Sequence, residues 1–175
     1  LVRSRGLGDV YKRQEQHYLS ALRLAEETGY LQGVAKICAN LLGMYARRGQ
    51  YDLAKRYLHQ AEETTRQIGK LPDLPGMKIN EAFILNLAGD HAAAFNALCA
   101  AMKLYRQMKL KLEPWPKALI DQGLAEAYLG RGELAKARRR AERVIALGEG
   151  DVLPDALRTL GEVGLAAGRF PDADR

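Results

Sequence analysis

NLLGMYARRGQYDLAKRYLHQA, residues 40–61, is the stretch on which the reading of this chain turns. Leu41, Leu42 and Tyr45 recur at three- and four-residue spacing until Gly49. Leu53, Ala54, Tyr57, Leu58 and Ala61 then resume the same rhythm. Apolar residues at that period mark an amphipathic helix, and the glycine marks a stop, so the stretch predicts two helices joined by a tight turn. A turn this short needs a residue that accepts positive φ, which glycine does without steric cost. Ala54 falls on the first turn of the second helix, where a small side chain lets two helix axes approach closely.

The same glycine and alanine, five residues apart, occur four times: Gly49/Ala54, Gly89/Ala94, Gly132/Ala137 and Gly168/Ala173, at intervals of 40, 43 and 36 residues. Self-similarity at such a period predicts an array of helical hairpins, each exposing an apolar face that its neighbours must cover. Working outward, helices are expected near 15–28, 31–48, 51–68, 76–88, 91–109, 116–130, 134–147 and 153–167. KLPDLPG (70–76), EPWP (113–116) and Gly148–Gly150 read as the longer loops between hairpins. AEET appears at both 25–28 and 61–64, a second internal echo.

The bulk numbers agree with one domain of ordinary size: 175 residues, 47% apolar, 27% charged and only 7% aromatic. No apolar run approaches the roughly 18 residues needed to span a bilayer, and no secretory leader is visible. Cys38 and Cys99 have no metal-ligand spacing and sit inside apolar patterns, so both are expected as core residues of a cytoplasmic protein. The net charge of +6 is uneven, because residues 1–14 hold Arg3, Arg5, Lys12 and Arg13 against Asp9 alone. That segment lacks an apolar period, and its VYKRQ ending resembles a translated sequencing adapter; it is expected to be a non-native leader outside the fold. From residue 15 onward 23 basic residues face 20 acidic ones, an ordinary balance.

With these residues in place the chain resembles a tetratricopeptide-repeat (TPR) protein. Leu41, Tyr45, Gly49, Tyr51, Ala54, Leu58 and Ala61 match that family's pattern in the first copy. Ala82, Leu85, Gly89, Ala94, Leu98 and Ala101 match it in the second, and Leu124, Ala125, Tyr128, Gly132, Ala137 and Ala141 in the third. Leu160, Gly161, Gly168, Phe170 and Ala173 match it in the fourth. The period departs from the family's basic 34 residues and is closer to the long repeats of kinesin light chains and of bacterial signal-transduction ATPases and transcriptional regulators. The resemblance implies an all-α solenoid of antiparallel hairpins wound as a right-handed superhelix. Its divisions would be the second helix of a preceding repeat (15–30), repeats at 31–70, 75–111 and 115–150, and a truncated repeat at 152–175. Both ends read as cut, so a fragment of a larger bacterial signalling or transcriptional protein is expected, with raw apolar ends that favour self-association.

The resemblance also implies a function: a non-catalytic protein-interaction module holding a peptide or partner helix in a concave groove lined by the first helix of each repeat. Counted from the turn glycines, the groove candidates are Lys36, Asn40, Gly43, Arg47, Asn80, Phe83, Asn86, Gln122, Glu126, Arg158 and Glu162. Asn40 and Asn80 lie one repeat apart, and their amides could address a peptide backbone or cap helices locally. The lysine–asparagine carboxylate clamp of some relatives is missing, since Ala39 and Gly43 stand where it needs polar residues.

No arrangement of residues predicts an enzyme, a cofactor or a metal site. Gly130-Arg-Gly132-Glu-Leu-Ala135 mimics a dinucleotide motif but lacks the strand that must precede it. His17, His59 and His91 share no motif, and His91 takes the slot of Tyr51, Leu134 and Phe170, which predicts packing. The acidic residues read as scattered over solvated faces. Arg138, Arg139, Arg140 and Arg143 form the one dense basic patch. It reads as a solvated face, with a nucleic-acid phosphate backbone or an acidic protein surface as the functional alternative.

Overall fold

The computed structural model describes the backbone of residues 2–168 and the side chains of residues 12–168. Among them the regular structure is helical, with no strand. The helices are α1 (Val2–Glu27), α2 (Leu31–Arg47), α3 (Tyr51–Gln67), α4 (Leu74–Leu87), α5 (His91–Gln107), α6 (Pro114–Gly130), α7 (Leu134–Leu147) and α8 (Leu153–Ala166). The chain divides into two compact units with the boundary between Leu74 and Pro75.

In the first unit α2 packs against both α1 and α3. Val34, Cys38, Leu41, Leu42 and Tyr45 of α2, Leu22 and Ala25 of α1, and Ala54, Leu58 and Ala61 of α3 are all buried. Cys38 is fully enclosed, and burial, with Glu26 adding to it, pushes its thiol up to about 12. It is an unreactive core residue. The rings of Tyr45 and Tyr57 stack with centroids 5.4 Å apart.

In the second unit one apolar cluster joins Ile79 and Ala82 of α4, Ala94, Leu98 and Ala101 of α5, and Ile120, Leu124 and Ala127 of α6. A second cluster joins Ala118 of α6, Val144 of α7, and Val152 and Ala156 beside and in α8. Helix α6 therefore belongs to both clusters. It is enclosed on more than one side, and Asp121 and Gln122 are buried together with its apolar residues.

The turns repeat in detail. At Gly49 (φ +73°) the next residue, Gln50, donates its N–H to the Tyr45 carbonyl at 2.9 Å. Asp90 donates to Leu85 and Glu133 to Tyr128 at the same distance after Gly89 and Gly132. This bond satisfies a carbonyl that the helix end leaves unpaired. Ala54, Ala94 and Ala137 are each fully buried, as the sequence predicts. Gly168 has φ +62°, but its partner Ala173 and the nearby Phe170 lie outside the described residues.

Three boundaries differ from expectation. Helix α1 begins at Val2 and runs through residues 2–14, which lie in the stretch expected to be outside the fold. Gly6 and Gly8 each weaken a helix by about 1 kcal/mol without ending it, and extending an existing helix needs no new nucleus. KLPDLPG is mostly structured: Leu71–Asp73 is a 3-10 turn, and Pro75 and Gly76 lie in the first turn of α4. Pro114, not Pro116, is the first helical residue of α6, a position where its missing N–H costs nothing.

Gly69 and Lys109 occupy equivalent turns, and Lys109 is the one non-glycine with positive φ (+53°) among the described residues. Both turns carry the same bond, Lys70 N–H to Thr65 O at 3.1 Å and Leu110 N–H to Tyr105 O at 2.9 Å. A β-carbon in this conformation costs about 1–2 kcal/mol. Lys109→Gly is therefore expected to stabilise the protein by about 1 kcal/mol in urea unfolding, after glycine's larger chain entropy is deducted. Ala94→Leu is expected to destabilise it by about 1–3 kcal/mol through overpacking. Equal stability of either variant with wild type would contradict the turn or the crossing as described.

Candidate functional site

Five groove candidates of the second unit come together as one hydrogen-bonded network. Asn86 near the end of α4 donates through Nδ2 to the Gly123 carbonyl of α6 at 2.9 Å and, more distantly, to Glu126 Oε2 at 3.5 Å. Gln122, one turn before Glu126, donates to Glu126 Oε1 at 3.1 Å and to Thr159 Oγ1 of α8 at 3.1 Å. Arg158 of α8 donates to Glu126 Oε1 and to Glu162 Oε1, both at 2.9 Å, and approaches Asp155 at 3.7 Å. The i, i+3 and i, i+4 spacings put Asp155, Arg158, Thr159 and Glu162 on one face of α8. Glu126 thus links α4, α6 and α8.

The network grades from buried to wet. Gln122 is 5% exposed, whereas the side chains of Arg158 and Glu162 are 50% and 43% exposed. Gln122 Oε1 is buried without a hydrogen-bond partner, because both of its donated bonds use the amide nitrogen. Burial raises the Glu126 carboxyl above its ordinary value despite the bonds from Gln122 and the charge of Arg158. Burial works against the Arg158 charge, but the Glu162 hydrogen bond and the surrounding carboxylates outweigh it and hold that group above its usual value.

A cleft of about 230 Å³ opens on this network, bounded by Asn86, His91, Glu126, Leu129, Arg158 and Glu162, with Leu87 at its side. His91 Nδ1 lies 3.3 Å from Asn86 Oδ1. A β-carbon on Gly130 would fall inside the His91 ring. Gly130 is therefore the last residue of α6 and the surface on which the imidazole rests, not part of a cofactor loop. The expected packing role of His91 holds, and its contact with Asn86 was not legible in the sequence.

Asn80 and Phe83 are half-buried on α4 and do not line this cleft. In the first unit Asn40, Gly43 and Arg47 line a separate cleft of about 450 Å³ with Gln14, Tyr18 and Arg48, while Lys36 is exposed elsewhere on α2. Beside that cleft Glu15 accepts from the Tyr45 hydroxyl at 2.7 Å and from Arg48 at 2.6 Å. These bonds, Tyr45's first, hold the Glu15 carboxyl below its ordinary value. Burial, with Glu15 adding to it, raises the Tyr45 hydroxyl. Asn40 and Asn80 belong to different units.

Two readings of charge need correction. Acidic residues are not confined to solvated faces: Asp121 of α6 is 2% exposed. Nor is the arginine patch a uniform outward face. Arg140 pairs with Asp121 Oδ1 at 2.6 Å, and Arg143 Nε approaches Oδ2 at 3.4 Å without a well-formed hydrogen bond. A buried carboxylate must be paired, so half the patch is held for folding. The signal was an aspartate inside the apolar run ALIDQGLA. No group of three or more metal-ligating side chains able to hold an ion occurs among the described residues.

No family model matches the chain, and no curated protein matches it.

The Glu126 carboxyl supplies a stability test. Its folded-state pKa is raised above the ordinary 4.5, so the folded protein holds this proton more tightly than the unfolded chain does. Its contribution therefore turns against the folded state as pH rises from the ordinary carboxyl range through the folded value. Relative to Glu126→Gln, wild-type stability is expected to decline in urea titrations as pH rises above the ordinary carboxyl range. A constant difference would show that burial does not disfavour this carboxylate.

Proposed function

We propose that this chain is a non-catalytic protein-interaction module, a TPR-like solenoid of helical hairpins that holds an extended peptide or a partner helix on the face formed by the first helices of its hairpins. The observation that carries the reading is the Glu126 network, in which side chains from α4, α6 and α8 converge on one partly open face. Its outer members, Arg158 and Glu162, keep about half of their surface in water and so remain within reach of a ligand. The cleft's roughly 230 Å³ lies below the size usual for cofactor and drug-sized sites and suits one side chain of a longer ligand. The repeated turn geometry after Gly49, Gly89 and Gly132 supports the repeat architecture behind this proposal. A place in a larger bacterial signalling or transcriptional protein follows from the family resemblance alone.

The test is selection of peptides from a random display library on the whole chain, followed by mapping with backbone amide shifts. Selected peptides are expected to perturb α4, α6 and α8. Arg158→Ala together with Glu162→Ala is expected to weaken them about tenfold, or about 1.4 kcal/mol. Lys103→Glu and Arg139→Glu, at exposed positions on α5 and α7, are expected to leave affinity unchanged. Peptides that map to α5 and α7, or that bind the Arg158/Glu162 variant equally well, would overturn the assignment.

A further inference from the structure

The connection between α5 and α6 carries cations that its own structure does not call for. From residue 103 to residue 117 the chain holds Lys103, Arg106, Lys109, Lys111 and Lys117 against Glu113 alone. Lys111 approaches Glu113 at 3.1 Å, with both side chains largely in water. The other four cations form no ion pair among the described residues. Ala118 and Val152 share one apolar cluster, so Glu149 and Asp151 stand at the same end of the unit. Neither acid pairs with these cations among the described residues, and the surplus stays positive. The dipole at the end of α5 accounts for Lys103 and Arg106. It does not account for the other two. Lys109 holds φ +53° where the equivalent turn uses Gly69. Lys117 lies in the opening of α6, where a helix disfavours positive charge. Between these lysines in sequence, Leu112 and Trp115 keep 36% and 51% of their surface exposed.

We infer that this connection is a docking surface for an anionic phospholipid bilayer, with Arg106, Lys109 and Lys117 on the lipid phosphates and Leu112 and Trp115 in the headgroup layer. Cations kept against local preference point to a partner of opposite charge. A bilayer surface supplies that charge within a Debye length and takes up both a leucine and an indole at the boundary between headgroups and acyl chains. A nucleic-acid backbone engages the same cations but has no use for Leu112, and one indole is a small platform for a strand of bases. Pro114 and Pro116 flank the indole and fix the backbone on either side of it. The contact is peripheral. The backbone of the connection stays among hydrated headgroups, where its N–H and C=O groups find water. Trp115 lies eleven residues before Glu126 on α6, about 16 Å along the helix, so docking leaves the Glu126 face open.

The experiment mixes the whole chain with vesicles of phosphatidylcholine, alone or with phosphatidylserine, and follows the emission of Trp115, the chain's only tryptophan. The phosphatidylserine vesicles are expected to move the emission to shorter wavelength, and their binding to weaken as salt rises. Pure phosphatidylcholine is expected to leave the emission unchanged. Lys109→Gly is expected to weaken binding about fivefold, and its combination with Lys117→Gln about twentyfold, at about a factor of five per basic residue on an anionic surface. Lys109→Gly is also expected to stabilise the fold, so its weaker binding is not a loss of structure, and a thermal melt checks the double variant. Arg139→Gln, which removes the same charge at an exposed position of α7, is expected to bind as wild type does. Absence of the shift with phosphatidylserine, equal binding to neutral vesicles, no effect of the lysine substitutions, or an equal effect of Arg139→Gln would each overturn the inference. Quenching by oligothymidylate, with tighter binding than the vesicles show at equal charge concentration, would assign the surface to a nucleic acid and overturn it too. The peptide-binding face stands or falls on its own display experiment, whatever the vesicles show.

Discussion

Each hairpin depends on the close crossing of its two helices, and that crossing depends on an alanine without room for anything larger. Ala54, Ala94 and Ala137 have no exposed surface. Each lies four residues beyond a residue whose N–H closes the turn onto the preceding helix. The closed turn sets where the second helix starts, and the small side chain sets how near it can lie. Packing that tight leaves little volume between paired helices. Large residues such as Leu41, Leu98, Leu124 and Val144 accordingly fill the spaces around the crossings and are fully or almost fully buried.

In the second unit this arrangement makes α6 the helix through which neighbouring elements are joined. It packs against α5, α7 and α8, and it carries seven buried residues, three of them polar or apolar neighbours in sequence: Ile120, Asp121 and Gln122. A helix enclosed on several sides has no solvated face on which to place polar groups, so each buried one needs a partner from another helix. Asp121 finds Arg140 and Arg143 of α7. Gln122 finds Thr159 of α8. Glu126, one turn further on, finds Arg158 of α8. The same burial that forces these pairings raises the Glu126 carboxyl and so makes its charge responsive to what lies next to it.

The helices, the turns and the alanine crossings were legible from residue spacing, because glycine and alanine at those positions have steric consequences that no neighbour can reverse. The groove candidates were legible only in part. Gln122 and Arg158 hold one repeat position and Glu126 and Glu162 another, one turn apart, which counting from the turn glycines captures, and Asn86 joins them from a different position in its own repeat. Asn80 and Phe83 satisfied the same count and lie outside the cleft, since helical spacing fixes a face and not the depth at which a side chain sits on it. The pairing of Asp121 with two arginines 19 and 22 residues away was illegible as geometry. The periodicity of α7 alone puts Arg140 and Arg143 beside its apolar stripe, and only the packing of α7 on α6 brings them to a buried acid. The early start of α1 is not legible because residues 2–14 carry no apolar period, and a helix that extends one already formed needs neither such a period nor a new nucleus.

Charge distribution bears on the arginine-rich surface that the sequence offered for phosphate binding. A phosphate-binding surface needs cations free to replace the counterions of the nucleic acid. In the arginine-rich helix α7, Arg140 and Arg143 already meet a carboxylate that is 2% exposed, and withdrawing either would leave that carboxylate less compensated in the interior. Binding phosphate through them therefore sets folding against recognition. At the Glu126 cleft the ion pairs are likewise internal, because the one guanidinium of Arg158 bonds Glu126 of α6 and Glu162 of its own helix at once, so the charged side chains there hold α6 and α8 together before they meet anything else.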